Sequence, residues 1–337
     1  MNVDELLKPP LTTDPDRRRI YPDDVYFREM AAQVDSVAPD LLARILERSS
    51  FLMFKPEAVV GRRIEPALAF LAERGFEPLG ALRVRIDPRI LREMWRYQIN
   101  AAPLSSIRAV DMALQGAESL VVALHDTQGP ERTGLPAAVR LSNLKGSSSG
   151  LDADSGLLRG VLACVNESLN FVHAPDEPAD LIRELGVLFD RQRRAAPLEL
   201  LAALPSAAAH HAVQAQIRQL YRDHPAHPMD VAASMRALRA AADGHPDRTA
   251  PTAEVINAIE HSAPECDLLR LVDWLDFSPS DLERWDRITL AAYLAGDEIS
   301  DRMPLIGPPP GARAEARRAR AEAQAARIAR VAAAQVG

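Results

Sequence analysis

Phe51-Leu52-Met53-Phe54-Lys55-Pro56-Glu57 is the stretch on which the fold turns. Its four consecutive apolar residues have the length of a buried strand, and Lys55-Pro56 ends it, because a residue before proline is pushed away from the helical region. Downstream, Ile64, Leu68 and Leu71 recur at helical spacing within residues 64–74, and Gly75 follows like a C-cap. Residues 76–86 alternate in strand fashion, 88–97 read as helix, 120–125 as a buried strand and 135–144 as helix. Residues 169–172 are short and extended, and 178–189 form an amphipathic helix with Leu181, Leu185 and Leu188 on one face. The order β-α-β-α-β-α-extended-α predicts an α+β sandwich with an antiparallel sheet rather than a doubly wound parallel one.

The flanks differ in character. Residues 1–48 are polar and proline-punctuated, an N-terminal arm with helical pattern only in 24–34 and 39–48. The sandwich is expected to occupy 49–192. Residues 195–306 read as an all-α domain, with helices at 198–204, 211–221, 229–242, 253–261, 267–275 and 280–294; Ser280 and Glu283 fit a capping box for the last of these. Pro308-Pro309-Pro310-Gly311 then introduces an Ala/Arg-rich helical tail to residue 337, with few large apolar residues to bury. A length of 337 residues favours more than one domain, and 47% hydrophobic with 26% charged residues suits a globular protein with a core.

The formal charge of −7 argues against wholesale nucleic-acid binding. Cys164 and Cys266 are the only cysteines, too few for a disulfide framework or a cysteine-based zinc site. Met1-Asn2-Val3-Asp4-Glu5 lacks a basic leader and an apolar run, and no apolar stretch reaches the roughly 20 residues that span a bilayer. A cytoplasmic protein without a membrane partner is expected. His210-His211 and the pair His224 and His227 lack a supporting carboxylate or cysteine pattern, and read as turn and helix-surface residues rather than metal ligands. Trp274 and Trp285 read as core of the helical domain.

The chemistry-bearing residues centre on Asn170-Phe171-Val172-His173-Ala174-Pro175-Asp176, with Glu184 eleven residues after His173. Phosphoryl transfer needs a nucleophile, neutralised phosphate charge and positioned geometry. An imidazole supplies the nucleophile when an acceptor such as Glu184 fixes its tautomer. Lys55 offers a point charge, Arg140 and Arg159 offer planar forks, and Asn170 a donor for a ribose hydroxyl or phosphate bridge. A solvated helix face explains Arg140 equally well. The sequence has no Gly-x-x-x-x-Gly-Lys-Ser/Thr loop, which argues against a P-loop kinase.

Across roughly residues 48–190 these features resemble the nucleoside diphosphate kinase family. Phe54-Lys55-Pro56-Glu57-Ala58-Val59 is similar to its Lys-Pro-Asp-Gly-Val segment, and Leu71-Ala72-Glu73-Arg74-Gly75-Phe76 to its Lys-Gly-Phe turn. Leu91-Arg92-Glu93-Met94-Trp95 resembles Leu-Lys-Glu-His-Tyr, Leu158-Arg159-Gly160 resembles Ile-Arg-Gly, and Asn170-x-x-His173-x-x-Asp176 resembles Asn-x-x-His-Gly-Ser-Asp. The resemblance implies a ferredoxin-like βαββαβ sandwich, a transiently phosphorylated His173 and an orienting Glu184. It also implies nucleotide contacts from Lys55, Trp95, Arg140, Arg159, Asn170 and a loop serine, Ser147 or Ser148. Magnesium-bound nucleoside triphosphate, a phosphoryl acceptor and a homo-oligomer come with it. Ala174-Pro175 stands where the family has Gly-Ser, and the loop between Tyr97 and Asp111 lacks the family's arginine followed by aromatics, with Arg108 as a substitute. Two further readings stay open: a catalytically weak nucleotide-binding or scaffold module, and a phosphotransferase with a non-nucleotide acceptor.

Overall fold

The computed structural model describes residues 11–146, 156–243, 245–261, 266–277, 282–296, 298, 302 and 304–306. Its strands are β1 (Ser49–Phe54), β2 (Phe76–Val84), β3 (Ser119–Asp126) and β4 (Val172–His173), ordered β2-β3-β1-β4 in one sheet. Every pairing is antiparallel, with Leu52 opposite Val122 and Met53 opposite both Val121 and His173. Before β1 come α1 (Pro15–Ile20), α2 (Val25–Val34) and α3 (Pro39–Arg48). Between β1 and β2 lie α4 (Pro56–Val60) and α5 (Ile64–Ala72), and between β2 and β3 lie α6 (Pro88–Met94), α7 (Arg96–Ile99) and α8 (Leu104–Leu114). After β3 follow α9 (Pro130–Thr133), α10 (Ala137–Lys145) and α11 (Leu158–Val161), and after β4 comes α12 (Pro178–Leu188). This is the α+β ferredoxin-like arrangement, extended by α13 (Ala195–Ala202), α14 (Ala207–Asp223), α15 (Val231–Ala242), α16 (Pro246–His261), α17 (Leu268–Phe277) and α18 (Arg284–Ala295).

β1 is buried along its whole length, which explains its unbroken apolar run: helices cover both faces of the sheet. Leu52, Phe54, Leu120 and Val122 share one face with Val59 of α4, Leu71 of α5, Met112 of α8 and Leu141 of α10. That core runs on without a break into Ile217 of α14, Leu271 of α17 and Ile288 of α18. Phe51, Met53, Val121 and Ala123 share the other face with Phe27 and Met30 of α2, Ile45 of α3, Leu91 of α6 and Leu185 of α12. The helix Val25–Val34 thus packs directly on the helix that carries Glu184. Gly186 makes that approach possible, since a Cβ there would stand 2.5 Å from the Tyr26 carbonyl oxygen.

Two local expectations are corrected. The stretch between Tyr97 and Asp111 is not an open loop: Ala109, Met112 and Ala113 are buried at helical spacing, and this apolar stripe winds it into α8. Glu283, not Ser280, is the N-cap of α18, which starts at Arg284; Ser280 lies outside the described residues.

Candidate active site

His173 is delivered by a tight turn. The Val172 N–H donates to the Asn170 carbonyl at 2.7 Å, and Phe171 between them has φ +64°, closing a γ-turn in a region that a bulky residue rarely adopts. The surroundings compensate. The Lys55 N–H donates to the Phe171 carbonyl at 2.9 Å, the Phe171 N–H to Glu57 Oε1 at 3.3 Å, and the Arg63 guanidinium lies 5.6 Å from the Phe171 ring. β4 stops after two residues, and Glu177 and Asp180 then start α12 with a reciprocal capping box.

On α12, Glu184 places Oε2 2.9 Å from His173 Nε2. Burial pushes the Glu184 carboxyl above its ordinary range, and the opposing pull of His173 favours the carboxylate. An ionised Glu184 is an acceptor only, so it takes the Nε2–H and leaves the lone pair on Nδ1. Among the described residues no hydrogen bond engages Nδ1. The Trp95 ring stands edge-on to the imidazole, with centroids 5.1 Å apart and an interplanar angle of 79°.

Cations gather at the base of the same turn. Arg159 is buried and donates to the carbonyls of Val172 at 2.8 Å and Gly146 at 3.0 Å, and to Asn170 Oδ1 at 3.3 Å. Its Nε is buried with no hydrogen-bond partner among the described residues. Burial lowers its guanidinium pKa from the ordinary value, and the nearby acidic groups offset this only in part. Lys55 is also buried, and its ammonium meets Glu57 at 2.7 Å. Asn170 is held by donating Nδ2 to the Glu167 carbonyl at 2.7 Å. Cys164 donates Sγ to the Asn170 carbonyl at 3.3 Å, and burial pushes its thiol up to about 11, so it stays protonated at neutral pH.

His173, Glu184, Lys55, Trp95, Arg159 and Asn170 thus come together around one turn. Arg140 does not join them. Its guanidinium meets Asp126 at 2.5 Å, donates to the Arg74 carbonyl and stacks over the Phe76 ring at 4.7 Å. Asp126 lies beyond the Ser49↔His125 pair, at the other end of β1 from Met53 and His173. Neither explanation open for Arg140 matches these surroundings: its side chain is largely buried rather than on a solvated face, and it is ion-paired with Asp126 away from the histidine turn. Arg108 is likewise engaged, with Asp273 of α17 at 3.3 Å. Ser147 and Ser148 lie outside the described residues.

The cation of α10 that does face the histidine loop is Lys145, which the sequence reading missed. It donates to the Ala174 carbonyl at 3.0 Å and to Asp176 at 3.1 Å, and Ser142 donates to the same carboxylate at 2.6 Å. Lys145, Ser142 and Arg17 outweigh the effect of burial and hold the Asp176 carboxyl well below its usual range. A lysine in the last turn of α10, one helical turn beyond Leu141, was the available signal. On the side of α8, α18 closes the neighbourhood: Asn166 donates to the Ala292 carbonyl at 3.0 Å and Ser106 to the Ala295 carbonyl at 3.2 Å.

His210 and His211 are exposed on α14, as a helix-surface reading requires. His227 lies in the turn before α15 but is partly buried, and with Glu283 and Asp286 it offers ligand atoms that lie within 4.8 Å of one another. The Met229 N–H donates to His227 Nδ1 at 3.0 Å, so the proton sits on Nε2, which donates to Asp286 at 3.1 Å. A bonded N–H, not a free lone pair, faces the carboxylates. No helix among the described residues is long and apolar enough to cross a membrane.

No family model matches the chain. Over 143 residues it is 25% identical to the nucleoside diphosphate kinase of Methanobrevibacter smithii, covering 42% of this chain and 87% of that protein. Among solved structures, the nucleoside diphosphate kinase of Aquifex aeolicus aligns at 17% identity and a TM-score of 0.35, over 43% of this chain and 96% of that one. The Encephalitozoon cuniculi nucleoside diphosphate kinase aligns at 20% identity and a TM-score of 0.35, over 42% of this chain and 87% of that one. The chain contains a divergent nucleoside diphosphate kinase-like domain, to which the helices beyond residue 195 are added.

Proposed function

We propose that this protein is a phosphotransferase that moves the γ-phosphoryl group of a nucleoside triphosphate to an acceptor through a phosphohistidine at His173. One observation carries the reading: His173 Nε2 is held by Glu184 at 2.9 Å, which leaves the Nδ1 lone pair to act as nucleophile. In the first half-reaction Nδ1 attacks the γ-phosphorus, the P–N bond forms, and the diphosphate leaves with the electrons of the broken P–O bond. In the second, an oxygen of the acceptor attacks phosphorus and the P–N electrons return to the imidazole. Glu184 balances the positive charge that the ring gains while it is phosphorylated. Lys55 and Arg159 suit the phosphate oxygens, and Asn170 a ribose hydroxyl or bridging oxygen.

Magnesium belongs to the substrate in this reading. Asp176 and Glu57, the carboxylates beside the turn, are already engaged by Lys145 and Lys55, so triphosphate oxygens and water fit the ion better than a protein cage. Residues 49–192 would be the phosphotransfer unit, working as a homo-oligomer, with 195–306 packed against it. The acceptor would be a nucleoside diphosphate. The Lys55–Glu57 pair favours one second reading, a nucleotide-binding module with weak catalysis, because the ammonium must leave a buried carboxylate to meet a phosphate.

Incubation with γ-labelled ATP and magnesium tests the proposal. An acid-labile, alkali-stable label is expected on the wild type, absent from His173→Ala and chased off by nucleoside diphosphates. Absence of label with every nucleoside triphosphate would overturn the kinase reading in favour of the binding module.

A further inference from the structure

Asp24 lies outside the 48–190 span that carries the family resemblance, yet it is buried beside the site. Its Oδ1 caps α2 by accepting the Phe27 N–H at 2.9 Å, while Oδ2 accepts Arg183 Nε at 2.8 Å and the Tyr97 hydroxyl at 2.7 Å. Arg183 is the α12 residue next to Glu184. It is almost completely buried, and its remaining nitrogens donate to the carbonyls of Glu93 at 2.7 Å and Met94 at 3.2 Å. Those carbonyls end α6, where intrahelical partners run out and a cation also suits the helix dipole. The next residue is Trp95, whose ring stands against His173.

We infer that the Asp24–Arg183 pair is a positioning device for the histidine: it locks α12, which carries Glu184, to the end of α6, which carries Trp95, and so fixes His173 between them. Arg183 touches neither His173 nor the phosphate cluster. It acts through the backbone of α6 and through the helix it shares with Glu184. Asp24 supplies the charge that offsets the cost of burying a guanidinium there. Arg17 makes a second tie from the N-terminal segment, bonding Asp180 at 2.9 Å and reaching Asp176 at 3.5 Å, so the loop after His173 is held from the same side. The N-terminal segment is therefore part of the machinery that orients the nucleophile. The functional meaning of this inference rests on the phosphohistidine reading; its primary test does not.

That test is the imidazole N–H region of the proton NMR spectrum of histidine-¹⁵N-labelled full-length protein, with His173 assigned by its loss in His173→Ala. A slowly exchanging Nε2–H signal is expected in the wild type. Asp24→Asn should broaden it or exchange it away while circular dichroism and elution volume stay those of the folded protein. Arg183→Lys is the second variant: it keeps the charge opposite Asp24 but cannot reach Asp24 and both carbonyls at once, and it should weaken the signal in the same direction. If Asp24→Asn does not fold, Arg183→Lys decides. A folded variant with an unchanged His173 signal would overturn the inference, as would a wild type that shows no protected Nε2–H. Where label transfer is observed, Asp24→Asn should slow phosphorylation of His173 about 10- to 100-fold, as loss of a group that orients a functional histidine does, while the nucleotide KM holds within about twofold. Failure of labelling alone would sink the phosphotransferase reading and leave the positioning device standing.

Discussion

Two arginines carried the same chemical promise as phosphate ligands, and their surroundings separate them. Among the described residues Arg159 is spent on carbonyls and an amide, all uncharged acceptors, so none of them neutralises its charge. Arg140 is paired with Asp126, whose side chain is fully buried. Arg140→Ala would strand that carboxylate. We expect it to lower stability by about 3 kcal/mol, toward the low end of what breaking a buried pair costs, with nucleotide affinity unchanged. Denaturant unfolding alongside a nucleotide titration checks this; loss of affinity at unchanged stability would return Arg140 to the phosphate site. The motif residues His173, Asn170, Asp176 and Glu184 were legible because the turn and the first half of α12 set their spacing locally. Arg140 and Lys145 lie on one helix, and only the packing of α10 against β1 decides which of them reaches the histidine loop.

The two secondary-structure elements that meet at the histidine behave differently. β4 is two residues long and depends on the γ-turn at Phe171 and on Glu57 beneath it, contacts distant in sequence that no hydrophobic period announces. α12 was readable from Leu181, Leu185 and Leu188, but its depth was not: every residue of the helix is buried, charged Arg183 and Glu184 included. That burial requires α2 at backbone contact across Gly186. Gly186→Val would press its branched side chain on the Tyr26 carbonyl, and an overpacking loss of about 2–3 kcal/mol is expected. Thermal unfolding of the variant measures it. An unchanged melting temperature would mean that α2 yields freely, contrary to the close fit of the two helices.

For the molecule as a whole, the sheet is covered on both faces, and one of its cores continues into the C-terminal helices without a polar layer between. Such sharing should make unfolding cooperative, and we expect a single calorimetric transition whose van't Hoff and calorimetric enthalpies agree. Two resolved transitions would show that residues beyond 195 unfold on their own. The order of strands and helices and the choice of His173 as candidate nucleophile followed from sequence alone, because an apolar run, helical periodicity and a short motif are local properties set by backbone geometry and burial. The capture of Asp24 by Arg183, the diversion of Arg140 to Asp126, and the closing of the α8 side by α18 came from folding. Each joins residues far apart in the chain, and the pairing of a charge depends on which groups the packed layers bring within hydrogen-bond reach.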